Sequence, residues 1–218
     1  MKAKAIYITD MKAKAIYIKV AAVVMVMCLA IAAYAAEPAK TTVSKCSAAL
    51  KSAPSLTATF LLDSDNGQIP GSLTMSGRCF KLITDRLSIW YDGKTQWTYI
   101  PDNEEVSITE PTADELLETN PVEIINASMS NYSGRVVSTD GNVRTIELKP
   151  LKAGGSIVSA ELSIDTARNL PTRIVAVFTN GSRLIAYIAN VKIGKAIGRS
   201  AFVYDTKLNP SAETVDLR

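Results

Sequence analysis

The chain has 218 residues, a formal charge of +3 and no histidine. The missing histidine removes His-based acid–base catalysis, Ser-His-Asp and Cys-His nucleophilic systems and most zinc sites. Five lysines and one aspartate lie in the first 35 residues, so the remainder carries −1 and gives no reason to expect nucleic acid as a partner.

Lys12, Lys14 and Lys19 form a basic flank before an apolar run from Val20 to Ala33, and Ala33-Tyr34-Ala35 offers small residues for cleavage. This order predicts a cleavable export signal over residues 1–35. The alternative is a transmembrane anchor, but the run is short for the roughly 20 residues a span needs, and no basic stop-transfer cluster follows. MKAKAIYI occurs twice, at Met1–Ile8 and Met11–Ile18, so Met11 is the expected start, with the first copy either a duplication or a start-site choice. Cys28 follows Met27 rather than the small residue that lipid attachment needs, so no lipid anchor is expected. Residues 36–218 are long enough for a single domain with a real core. Cys46 and Cys79 remain there, either as a disulfide suited to an oxidising compartment or as two buried free thiols.

Thr42 to Ala53 reads as a short helix with Val43, Cys46, Ala49 and Leu50 on one stripe, stopped by Pro54. From Ser55 the period becomes two, with Leu56, Ala58, Phe60 and Leu62 on one face. The turn cluster Asp63-Ser64-Asp65-Asn66-Gly67 then signals a hairpin. Short strands follow at Gly71–Ser76, Arg78–Thr84, Leu87–Tyr91, Thr95–Ile100 and Glu105–Thr109. Between Glu110 and Ala127 the alternation stops. Thr112-x-x-Glu115 predicts a capping box for one short helix, and Pro121 fits the first turn of another. Strands resume near Arg135–Ser138, Val143–Lys149, Ile157–Ile164, Pro171–Thr179 and Arg183–Ile193, with Phe202–Tyr204 as a last short one. The sum is a mainly β (α+β) chain of about eleven strands in an antiparallel barrel or sandwich.

Chemistry-bearing motifs are few. There is no CxxC, no P-loop and no GxGxxG after a strand. Asp102, Glu104 and Glu105 read as a solvated turn before a calcium site, and so do Asp63 and Asp65. Neither metal nor cofactor is expected, and nothing points to an enzyme, although a carboxylate-only hydrolase is not removed by composition. Apolar strand faces with apolar helices inserted mid-chain either fill a core or line a cavity under a helical cover, and such cavities bind apolar ligands.

The run Trp90-Tyr91-Asp92-Gly93-Lys94-Thr95-Gln96-Trp97-Thr98-Tyr99 resembles the DGKTxWxY hairpin of the LolA family of outer-membrane lipoprotein carriers. Glu105-Val106-Ser107-Ile108, Asn120-Pro121 and the ending Phe202-Val203-Tyr204-Asp205, Asn209-Pro210, Val215-Asp216-Leu217-Arg218 are similar to that family too, over nearly all of residues 36–218. The resemblance implies an unclosed β-barrel of about eleven strands with a lid of short helices. It implies a soluble, monomeric periplasmic carrier without enzymatic activity. Its partners would be acylated lipoproteins, an inner-membrane lipoprotein-releasing transporter as donor and an outer-membrane acceptor. Alternation nominates Leu56, Phe60, Leu62, Leu73, Met75, Phe80, Leu82, Ile89, Trp97 and Tyr99 as cavity wall, and Leu116, Leu117, Ile124 and Ile125 as lid. In that family an Arg-Pro pair ties barrel to lid. Here Ser76-Gly77-Arg78-Cys79 has no Pro, and Arg78 either latches the lid or is an ordinary surface arginine. A binding module for another lipid is the alternative function. The related LolB acceptors are lipid-anchored, which Met27 argues against, and the RseB-type sensors carry a second domain.

Overall fold

Period-two segments become strands and the mid-chain segments become helices, in the expected order. The computed structural model describes residues 38–64 and 67–218. The export signal, the duplicated octapeptide, Cys28 and the turn residues Asp65 and Asn66 lie outside them.

Helix α1 (Ala39–Ser52) starts behind Pro38 and ends before the Ala53-Pro54 pair, where a following proline disfavours helical backbone. It buries Ala39, Thr42, Val43, Cys46 and Ser47. Strands β1 (Ser55–Ser64) and β2 (Gly67–Ser76) pair from Ser64 opposite Gly67 to Leu56 opposite Met75. The meander continues through β3 (Cys79–Thr84), β4 (Ser88–Tyr91), β5 (Gln96–Ile100) and β6 (Glu105–Thr109). Helices α2 (Ala113–Thr119) and α3 (Pro121–Asn131) follow. The capping box forms as expected: the Thr112 hydroxyl accepts from the Glu115 N–H, and the Glu115 carboxylate accepts from the Thr112 N–H. Asn120 caps α3, its side-chain oxygen accepting from the Val122 N–H, with Pro121 in the first turn.

The second half is β7 (Tyr132–Asp140), β8 (Val143–Pro150), β9 (Ile157–Asp165), β10 (Leu170–Phe178) and β11 (Arg183–Gly194). One difference from expectation is at the C-terminus. Phe202–Tyr204 is no strand. Arg199–Phe202 is a 3-10 turn, and the last strand is β12 (Glu213–Asp216), parallel to β6. All twelve strands form one sheet in the order β12-β6-β5-β4-β3-β2-β1-β11-β10-β9-β8-β7. The end strands β12 and β7 do not pair with each other, so the barrel is unclosed.

The inner face of this sheet carries two apolar clusters. One joins β8–β11 to the three helices through Ile146, Leu162, Ile164 and Ile174 and through Cys46, Leu117, Ile124 and Ile125. The other joins β1–β4 through Phe60, Leu73, Phe80, Leu82 and Ile89, with Val122 of α3. Leu50 and Leu62 pack against both. A third cluster lies on the outer face. The chain from Arg199 onward crosses back there, and Tyr204 meets Trp90 edge to face at 5.1 Å between centroids, with Ile83, Trp97, Tyr99 and Ala212 around them.

Candidate functional site

The cavity lies where the two inner clusters meet. Leu56, Ala58, Phe60 and Leu62, alternate residues of β1, form its floor. Neighbouring strands add Ile69, Leu73, Leu82 and Ile89 on one side and Leu184, Ala186, Ile188 and Val191 on the other. Leu50 of α1, Thr119 of α2 and Val122 of α3 close it from the helix side. Its volume is about 260 Å³. At about 3.3 Å per residue, Leu56 to Leu62 spans roughly 20 Å. An extended alkyl chain of about sixteen carbons matches that length, since C–C bonds of ~1.5 Å rise about 1.25 Å each along a zigzag.

Two backbone devices shape this wall. Gly71 of β2 stands directly opposite Phe60, and a Cβ there would fall 2.3 Å from Phe60 Cζ. The absent side chain lets the Phe60 ring lie down on the β2 backbone and leaves the cavity open above it. Asn190 in β11 adopts a left-handed φ of 52°, tolerable for asparagine, at a bulge opposite Thr57–Thr59. Simple alternation after Ile188 would aim Asn190 inward. The bulge turns Val191 inward instead, and the Asn190 amide donates to Thr59 Oγ1 on the outer face.

The helices are held to the barrel mainly by apolar contact. Leu117, Ile124 and Ile125 sink into the cluster under β8–β11 and do not touch the cavity, whereas Leu116 packs on the cavity-side cluster. One polar tie to the β1–β6 side is Thr119 Oγ1 donating to Gln96 Oε1 at 3.4 Å, while Gln96 itself donates to Thr98. Toward α1, Ser47 Oγ donates to Asn126 Oδ1 at 3.2 Å.

Of the ten residues nominated as wall, Leu56, Phe60, Leu62, Leu73, Leu82 and Ile89 line the cavity. Phe80 is on the correct face but fully packed, tilted against Tyr91 at 5.3 Å. Met75 borders a small side cavity of about 20 Å³ with Leu50 and Leu56. Trp97 and Tyr99 are corrections. They share the outer face with Trp90 and Tyr204, and the inward residues of β5 are the polar Gln96 and Thr98. Ala58, Ile69, Leu87, Val122, Pro171 and the β11 residues were missed; alternation in β11 was the available signal for Leu184, Ala186 and Ile188.

Arg78 sits exposed in the β2–β3 turn, and among the described residues no hydrogen bond or ion pair joins it to α2 or α3. Cys46 and Cys79 are free thiols. Cys46 is buried beneath α1 on the inner face, where burial pushes its thiol up to about 12. Cys79 alternates with the inward Phe80 and faces outward, so the sheet separates the two sulfurs. Burial, then the Asp92 carboxylate, raise the Cys79 thiol above its ordinary value. Among the described residues no group of three metal-ligating side chains occurs. Glu104 is the left-handed cap of the Pro101–Asn103 turn, and Glu105 accepts from Ser107.

Residues 29–178 match the family described as outer membrane lipoprotein carrier protein LolA. The chain belongs to the LolA family. A comparison with curated protein sequences gives no match. Among solved structures, an uncharacterized conserved protein from Thermus thermophilus superposes with a TM-score of 0.56 at 12% identity, covering 82% of this chain and 98% of that one. A LolA superfamily protein from Nitrosomonas europaea gives 0.43 at 10% identity over 78% and 99%. A putative outer membrane lipoprotein-sorting protein domain from Vibrio parahaemolyticus gives 0.43 at 11% over 75% and 95%. At such identities the Thermus likeness speaks for the fold alone.

The motif that resembles LolA is a structural joint in this chain. Asp92 accepts from the N–H groups of Lys94 and Thr95, shaping the β4–β5 turn, and from Arg199 Nη2 at 2.8 Å, which fastens the C-terminal segment to the outer face. Burial works to raise the Asp92 carboxyl, but the Thr95 and Lys94 N–H groups and the Arg199 guanidinium outweigh it and hold the carboxyl below its ordinary value. In this LolA-family chain the aromatic hairpin anchors the C-terminal segment and the aliphatic strands wall the cavity. What that cavity can do is keep an apolar chain out of water.

Proposed function

We propose that this LolA-family protein is a periplasmic carrier that takes up the acyl chains of lipoproteins released from the inner membrane and hands them to an outer-membrane acceptor. The observation that carries the reading is the apolar cavity of about 260 Å³ walled by β1–β4 and β11 and covered by α2 and α3. The family description supports it, as does the export signal expected from the sequence. Among the described residues no helix is long and apolar enough to cross a membrane.

Energetics explain why a cover is needed. Burial stabilises by about 0.8 kcal/mol per methylene, so a chain of about sixteen carbons gains on the order of 12 kcal/mol at most. Release at that affinity is slow unless the cavity opens. The cavity volume lies below the ~300–1,000 Å³ range of drug-sized sites, which suits one chain. Cargo with several chains requires α2 and α3 to move outward. The weak Thr119–Gln96 tie is consistent with that movement.

The same volume favours a second reading, a carrier of a single-chain envelope lipid. Native mass spectrometry of the protein isolated from envelope fractions separates the two. A bound acylated lipoprotein supports the first, and a free lipid alone supports the second. Protein that carries nothing and fails to bind a fluorescent fatty acid defeats both.

A further inference from the structure

A second cleft opens away from the acyl cavity, and the two share no lining residue. It comes from a split in the sheet. The β8–β9 ladder runs from Val143 opposite Asp165 to Leu148 opposite Ala160 and stops there, although β8 continues to Pro150 and β9 begins at Ile157. Pro150 has no N–H to carry the ladder on. The loop between the two strands is tied at its ends to different neighbours. The Leu151 N–H donates to the Asn131 carbonyl at the end of α3, and the Thr179 N–H, just beyond β10, donates to the Ser156 carbonyl, each at 2.8 Å. The split is therefore held open. Its volume is about 370 Å³, within the range of sites that take specific ligands.

Leu117 of α2 and Ile157 of β9, both buried, form the floor, and the half-buried Tyr132 adds its ring. Leu151 beside them is 63% exposed. Asp114 of α2 and Lys152 of the loop line the same cleft from exposed positions, and among the described residues neither side chain forms a hydrogen bond or ion pair, with the other or elsewhere. Burial, then the Asp114 carboxylate, raise the Tyr132 phenol, which sets that charge beside the apolar floor. An apolar floor inside a polar rim is the anatomy of a protein-interaction hot spot. The opposite charges at the rim select the occupant. An alkyl chain would leave both unpaired, and a surface of one sign would be repelled by one of them. A chain segment can set an apolar side chain between a basic and an acidic one and leave through the open mouth. We infer that this cleft docks an extended peptide segment of a partner protein, with an apolar anchor on Leu117 and Ile157, a basic residue facing Asp114 and an acidic residue facing Lys152. Because Leu117 belongs to the cover, the partner grips α2 without entering the acyl cavity.

The test is a residue-resolved NMR titration of the full chain with capped pentapeptides: Lys-Gly-Phe-Gly-Glu, the reversed Glu-Gly-Phe-Gly-Lys, the neutral Gln-Gly-Phe-Gly-Gln and the anchorless Lys-Gly-Gly-Gly-Glu. The expected result is amide shifts at Leu117, Tyr132 and residues 151–157 and none along the β1 wall. One charge order should bind about three- to tenfold tighter than the neutral peptide at low salt, the worth of two exposed ion pairs, and the gap should close as salt screens the charges. The anchorless peptide should give no shifts. Asp114→Asn with Lys152→Gln brings the charged and neutral peptides level, and Asp114→Lys with Lys152→Asp makes the other charge order the preferred one. Ala153→Trp, which fills the cleft from an exposed loop position, abolishes the shifts. Equal binding of charged and neutral peptides by the wild type, or a preference that survives Asp114→Asn with Lys152→Gln, overturns the pairing of Asp114 and Lys152 with the segment. Shifts in the cleft from hexadecyl oligo(ethylene glycol) and from no peptide make it a second acyl site and overturn the peptide assignment. No shifts there from any of these probes overturn the site itself, whatever the β1 wall reports about acyl binding.

Discussion

Gly71→Ala is the substitution that asks most of the cavity. The added Cβ would fall 2.3 Å and 2.4 Å from two atoms of the Phe60 ring and 2.7 Å from the Ile83 carbonyl oxygen. Carbon atoms prefer separations of about 3.5–4.0 Å, so the ring has to retreat by more than an ångström. The β1 backbone is fixed between β2 and β11, and the open direction for the ring is the cavity that it lines. Overpacking of this kind costs about 1–3 kcal/mol, and replacing glycine in a strand returns roughly 0.5–1 kcal/mol. The net loss of about 1–2 kcal/mol lowers the melting temperature by roughly 2–8 °C for a domain of this size. Binding suffers more. A ring swung into the cavity displaces three or four methylenes of ligand, about 2.5–3 kcal/mol, or roughly a hundredfold in affinity. Fluorescent fatty-acid titration and thermal unfolding measure both effects. Phe60→Leu in the Gly71→Ala background should recover much of the affinity, because the smaller side chain leaves the added methyl room. Unchanged affinity in Gly71→Ala, or no recovery in the double variant, would refute the view that this pair sets the open volume.

Two further predictions concern the outer face and the thiols. The lowered Asp92 carboxyl contributes stability that is present above its unfolded value of about 3.9 and is lost as pH falls through the folded value. Below about pH 4 the C-terminal segment should therefore lift from Trp90 and Trp97, the chain's two tryptophans, and red-shift their emission before the strand circular dichroism changes; Asp92→Asn should show part of that shift at about pH 7, and identical spectra for the two proteins would count against the joint. In a Cys28→Ser chain, a thiol reagent at about pH 8 should modify Cys79 slowly and Cys46 only after unfolding, since burial raises both thiols and Cys46 to about 12; a shift in gel mobility on reduction would contradict the separation of the two sulfurs.

Much of this architecture was legible because local signals agree with the global fold. Leu56, Phe60 and Leu62 follow from alternation along β1, and the Thr112–Glu115 box follows from four residues. Two things were hidden. Alternation gives two faces but not which one is inner, and β4 and β5 have apolar side chains on the outer face because the C-terminal segment covers them. Trp97 and Tyr99 therefore looked like wall when they lie on the outer face, and the polar Gln96 and Thr98 take the inner one. The β11 wall was hidden for a different reason. Leu184, Ala186 and Ile188 become lining only through pairing with β1, a contact that joins Leu62 to Ala186 across most of the domain and leaves no trace in any short window. On α3 the core takes Ile124 and Ile125 and leaves Val122 to the cavity, a division that apolar periodicity alone does not reveal.

The place of β11 in the strand order has a consequence for how the protein is made. It is the hinge strand between two half-sheets, β12 to β2 with β1 on one side and β10 to β7 on the other. Until residues 183–194 have emerged, β1 is an open edge and its apolar floor faces water. Long-range pairing of this kind is slow and exposes a chain to aggregation. A chain that leaves its exit N-terminus first would present that edge throughout synthesis, and the wall meant to shelter an acyl chain would itself need shelter until the last part of the sequence arrived.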